Sequence, residues 1–85
     1  MSQADRKSAR LEWNRSSEIL SLTGVPIIDC IVKDISVTGA RVMVEVPEVL
    51  PDYFKLRVDA DEIALFPNCR VRWRAGNEVG IEFFR

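Results

Sequence analysis

Apolar and polar residues alternate with a period of two along most of this chain, and no stretch sustains a helical period over three turns. Val42, Val44 and Val46 alternate with Arg41, Met43 and Glu45, and Phe54, Leu56 and Val58 alternate with Tyr53, Lys55, Arg57 and Asp59. Cys69, Val71 and Trp73 alternate with Arg70, Arg72 and Arg74, and Val79, Ile81 and Phe83 with Gly80, Glu82 and Phe84. Successive strand residues point to opposite faces, so this pattern specifies antiparallel strands with one buried and one wet face. Turn formers separate the runs at Thr23-Gly24, Thr38-Gly39, Pro47 to Pro51, Asp59 to Glu62 and Ala75-Gly76-Asn77. The pattern predicts strands near 11–20, 26–34, 40–46, 53–59, 63–74 and 79–84, with Pro67 a candidate break point. One short helical turn is expected between Pro47 and Asp52.

Length decides how the strands combine. A chain of 85 residues is one small domain that hides roughly 64% of its unfolded surface. Six short strands in so small a domain are best protected by closure, so the expected fold is all-β, a small six-stranded antiparallel barrel. The phase of the last arginine-rich strand puts Trp73 in the core with Cys69 and Val71. Cys30 and Cys69 both lie in apolar runs and read as buried free thiols rather than a disulfide. Residues 1–10 carry Arg6, Lys7 and Arg10 against Asp5 and have almost no apolar anchor. That composition predicts a flexible N-terminal arm ahead of a barrel spanning 11–85.

Charge and composition narrow the function. The chain has 12 basic and 13 acidic residues, no histidine, no Gly-x-Ser-x-Gly and no phosphate-binding loop of the Walker type. Catalysis and a metal site lose their commonest residues, and bulk positive charge for polymeric nucleic acid is missing. No cofactor is expected. No apolar run approaches the ~20 residues that span a bilayer, and the polar N-terminus lacks the apolar segment of a secretory signal. A cytoplasmic protein without membrane insertion is the expectation. Yet the near-zero sum conceals a cationic arm, a strand bearing Arg70, Arg72 and Arg74, and a middle (45–62) where six carboxylates face only Lys55 and Arg57. The arginine strand reads as a solvated face paired across strands with Glu82. Its alternative, with Tyr53 or Phe84, is a stacking groove for single-stranded nucleic acid.

Two short patterns carry more. Arg6-Lys7-Ser8-Ala9-Arg10 spaces two arginines four apart in a segment with no structural need of them. Asp34-Ile35-Ser36-Val37-Thr38-Gly39 is a D-x-S-x-x-G pattern, a far rarer spacing. On its own it also fits a plain turn, with Asp and Ser capping backbone N–H groups and Gly accepting positive φ.

In this order, the two patterns resemble those of the PilZ domain family, bacterial receptors for the second messenger cyclic di-GMP. Arg6-x-x-x-Arg10 is similar to the family's arginine motif ahead of the first strand, and Asp34-x-Ser36-x-x-Gly39 to its second motif at a turn. Cys69 to Arg74 with Val79 to Phe83 resembles the family's closing hairpin. The resemblance implies a six-stranded barrel whose outer surface and arm clasp the dinucleotide, with Arg6, Arg10, Asp34, Ser36 and Gly39 as the ligand-binding residues. Arginine's planar fork suits a guanine O6/N7 edge or a phosphate, and a carboxylate accepts from a guanine N–H. Ser36 can donate to a phosphate or ribose oxygen, and Gly39 keeps a Cβ out of the ligand's way. Binding would order the arm and signal to a downstream protein. Members often carry another arginine directly before the first motif, where this chain has Asp5. That carboxylate favours the rival expectation, a PilZ-like barrel that binds no nucleotide and acts as a protein-interaction adaptor. An exposed edge strand would further allow a homodimer.

Overall fold

The computed structural model describes residues 11–59 and 62–84. Six strands follow one another: β1 (Leu11–Leu20), β2 (Pro26–Ile35), β3 (Gly39–Met43), β4 (Tyr53–Val58), β5 (Ala64–Ala75) and β6 (Glu78–Phe83). A single 3-10 turn, Pro47–Val49, joins β3 to β4 and begins on the proline whose φ suits it. The strands close into a barrel in the order β1-β2-β3-β6-β5-β4, every neighbouring pair antiparallel. The expected all-β barrel is the observed one. Closure gives each of these six strands two partners, although residues 26–30 of β2 pair with β1 alone.

The alternating residues build the interior. Ile19, Val32, Val42, Val44, Phe54, Leu56, Val58, Cys69 and Val79 are almost wholly buried. Each such aliphatic or aromatic side chain contributes about 1.5–3 kcal/mol by leaving water. Phe66 and Phe83 stack beside this core, with ring centroids 4.6 Å apart. No helix among the described residues is long and apolar enough to cross a membrane.

Two irregularities in β5 depart from the simple alternation. Pro67 does not break the strand; it lies where the β4–β5 register slips between Phe54↔Cys69 and Leu56↔Phe66. A residue with no N–H to give is tolerated where the ladder is already interrupted. The second slip falls between Val71↔Ile81 and Trp73↔Gly80, leaving Arg72 as the extra residue of a bulge. Past that point every side chain changes face. Trp73 is therefore thrown outward, 45% exposed, and the expectation that it joins the core is overturned. Arg74 stands opposite buried Val79 instead of continuing the stripe of Arg70. Its guanidinium donates to the carbonyls of Pro47 (2.9 Å) and Leu50 (3.1 Å) and meets Asp52 at 3.3 Å. That arginine fastens the 3-10 turn to the barrel.

Cys30 and Cys69 are free and buried, as their apolar settings led one to expect. Burial pushes both thiols up to about 12 from an ordinary 9.0. Because the folded state holds the protons more tightly, the thiols support folding fully below pH ~9 and progressively less as pH rises toward 12. We expect neither thiol to react with a disulfide reagent at pH 8 until the protein unfolds, and alkaline unfolding to begin above pH ~9. Rapid modification of the native protein, followed by mass spectrometry, would contradict this burial.

Candidate functional site

The turn between β2 and β3 holds the D-x-S-x-x-G residues. Ser36 closes it twice, its backbone N–H donating to the Gly39 carbonyl (2.8 Å) and its hydroxyl sharing a hydrogen with Thr38 Oγ1 (3.2 Å). The Thr38 N–H in turn donates to Ser36 Oγ at 3.3 Å. The plain-turn role of Ser36 is thus present in the structure. Val37 sits at the tip, 95% exposed.

Gly39 differs from the expected turn glycine. It is not in the left-handed region, which among described glycines is taken by Gly24 and Gly76. A Cβ on Gly39 would lie 2.1 Å from the Ile81 carbonyl oxygen of β6. The residue therefore lets β3 approach β6 closely, and Phe83 N–H then reaches the Thr38 carbonyl at 2.9 Å.

Asp34, at the end of β2, is nearly buried, yet it is paired. Arg41 Nε and Nη2 both donate to its Oδ2, at 3.0 and 2.8 Å, while Arg41 Nη1 reaches the two oxygens of Glu78 at 3.2 and 3.1 Å. The Asp34 hydrogen bond, with Glu78 beside it, holds the Arg41 guanidinium above its ordinary pKa. Hairpin register explains the contact, because Arg41 is the residue of β3 opposite Asp34.

Next to this pair lies an open cleft of about 390 Å³, within the range of about 300–1,000 Å³ usual for small-molecule sites. Asp34, Thr38, Gly39 and Arg41 form one side, Arg72 and Trp73 the other, with Gly80 and Glu82 between. Gly80 is bare for a reason: a Cβ there would meet the Trp73 indole at 2.2 Å. The ring thus covers the glycine on the outer surface, an arrangement that protects an otherwise naked strand position. Glu82 pairs with Arg70 and, at 3.6 Å, with Arg72. The hydrogen bond from Arg70, helped by Arg72, holds its carboxyl below the ordinary range.

Of the five residues expected at a ligand site, the structure brings Asp34 and Gly39 to the cleft and puts Ser36 in the adjoining turn. Arg6 and Arg10 lie outside the described residues. Sequence reasoning passed over Arg41, Trp73 and Glu82 as cleft residues. Arg41 was within reach, since a tight turn over 36–38 fixes its partner as Asp34. Trp73 needed the bulge at Arg72, although Gly80, opposite it on the neighbouring strand of the hairpin, was a signal. The stacking groove for single-stranded nucleic acid does not assemble as expected. Arg74 leaves the stripe, Arg70 lies over Phe84 (5.9 Å) and pairs with Glu82, and Tyr53 packs edge-on against Phe84.

No curated protein matches the chain. PilZ domains are non-catalytic receptor domains, in a family that typically binds cyclic di-GMP. The PilZ domain family matches residues 4–85, almost the whole sequence, and the chain belongs to that family.

Proposed function

We propose that this domain is a receptor for cyclic di-GMP, which it binds between the cleft and the arginines of residues 1–10. The observation that carries the reading is the strand register at the N-terminus. Leu11 pairs with Ile35 and Glu12 with Asp34, so Arg10 is bonded directly to a residue beside the Asp34–Gly39 turn. A consecutive residue is only 3.8 Å away at Cα, and an arginine side chain extends well beyond that. Arg6 and Arg10 are the ligand's phosphate and guanine-edge donors. Asp34 accepts from a guanine N–H, Ser36 donates to a phosphate or ribose oxygen, and the exposed Trp73 ring offers a face for a purine. Residues 1–10 act as the signalling element, since their sequence carries a net positive charge that the dianion would neutralise.

Calorimetric titration tests this. The wild type should give a saturable heat with Kd at or below about 100 μM, and Arg10→Ala should weaken binding at least about tenfold, as loss of a charged hydrogen-bond donor does. Trp73 emission should change on the same curve. A silent wild type at that ligand concentration would remove the proposal and leave the adaptor reading favoured by Asp5.

A further inference from the structure

We infer that Glu82 holds down the affinity of this cleft for its anionic ligand by neutralising Arg72; the inference rests on the cyclic di-GMP reading. Among the described residues, the charged side chains lining the cleft are Asp34, Arg41, Arg72 and Glu82, two of each sign. Arg41 is spent on Asp34 and Glu78 through four contacts of 2.8 to 3.2 Å. Arg72 is different. It is the bulge residue, its side chain is 59% exposed, and its contact with Glu82 is a single approach of 3.6 Å. Register explains why Glu82 stands there: it faces Gly39 on one side and Arg70 on the other, so no side chain from β3 screens it. Its hydrogen bonds go to Arg70, outside the cleft, while its negative charge faces an incoming phosphate. The carboxylate thus repels the dianion and occupies the one cation the cleft walls would otherwise offer it.

Glu82→Gln keeps an acceptor for Arg70 and removes the charge. Titrated with cyclic di-GMP at ~0.05 M salt, it should bind about two- to fivefold more tightly than wild type, within the range of one surface charge pair. At ~0.5 M salt the two proteins should converge, because screening shortens the reach of exposed charges. Adding Arg72→Gln should cancel the gain. A thermal melt of each variant confirms folding. If wild type binds but Glu82→Gln binds no more tightly, or the double variant keeps the gain, the inference is overturned and the receptor reading stands. If neither wild type nor Glu82→Gln binds, both fall. A silent wild type removes the receptor reading, and the inference falls with it.

Discussion

Gly39→Ala should lower the melting temperature by about 10 °C or more and abolish cyclic di-GMP binding in the same protein. The methyl would sit 2.1 Å from the Ile81 carbonyl oxygen and 3.2 Å from its carbon, and these are backbone atoms of a strand fixed on both sides. No rotamer relieves such a contact, so β3 must part from β6. Overpacking of this kind costs roughly 1–3 kcal/mol or more. In a domain of this size each kcal/mol moves the midpoint by roughly 4–8 °C. The parting also strains the Ser36 N–H to Gly39 carbonyl bond that shapes the turn and the Phe83 N–H to Thr38 carbonyl bond that anchors it. Gly76→Asn is the matched comparison. Gly76 has φ of +61° and nothing within 4 Å, a position asparagine accepts at small cost. Circular dichroism melts that put the two variants within 3 °C of each other would show that β3 and β6 have more freedom than their contact implies.

The same residue illustrates what a sequence discloses. Gly39 was legible as a constrained position, but the reasons expected were a turn with positive φ or room for a ligand, and the structure adds a neighbouring strand in place of the first. That neighbour is β6, more than 40 positions later in the chain, and the β3–β6 pairing leaves no local trace. Wherever the alternation was regular, as in Phe54, Leu56 and Val58, the buried face followed from it directly. Where a bulge intervened it did not. One extra residue at Arg72 reversed the faces of Trp73 and Arg74, turning a supposed core ring into a cleft wall and a supposed surface arginine into a fastening for the 3-10 turn. The site was legible to the same degree. Asp34 and Ser36 stood out because their spacing is rare, whereas Arg41 and Glu82 are ordinary charged residues until register sets them beside that turn.

On the receptor reading proposed above, these placements divide the work of binding. The cleft walls cancel in charge, so they offer shape, a ring and a carboxylate acceptor, and little net attraction for phosphate. The long-range pull on a dianion then falls to the cationic stretch at residues 6–10. Such a division suits a sensor better than a scavenger: specificity resides in a rigid barrel, and affinity can be set by single charges such as Glu82.

Phe54→Ala should remove a large share of the domain's stability, and cyclic di-GMP should restore part of it. Phe54 is fully buried on β4 opposite Cys69, and it is among the largest side chains of the core. Emptying such a position costs about 3–5 kcal/mol, through lost transfer energy and a cavity the barrel cannot collapse. For 85 residues the whole margin is only about 4–13 kcal/mol. The urea midpoint should therefore fall by about a quarter or more, with an unchanged slope. A shift of less than 1 kcal/mol would mean that the interior repacks far more freely than its closed ladder suggests. The cleft is built from β2, β3, β5 and β6, and Phe54 lies outside its lining, so the folded fraction of the variant should bind as wild type does. Ligand at a hundred times Kd then returns about 2.7 kcal/mol by mass action alone. Recovery of that size in Phe54→Ala, cut to about 1.4 kcal/mol or less in Phe54→Ala/Arg10→Ala at the same concentration, would separate a ligand that stabilises the native barrel through the arm from one that merely alters the solvent.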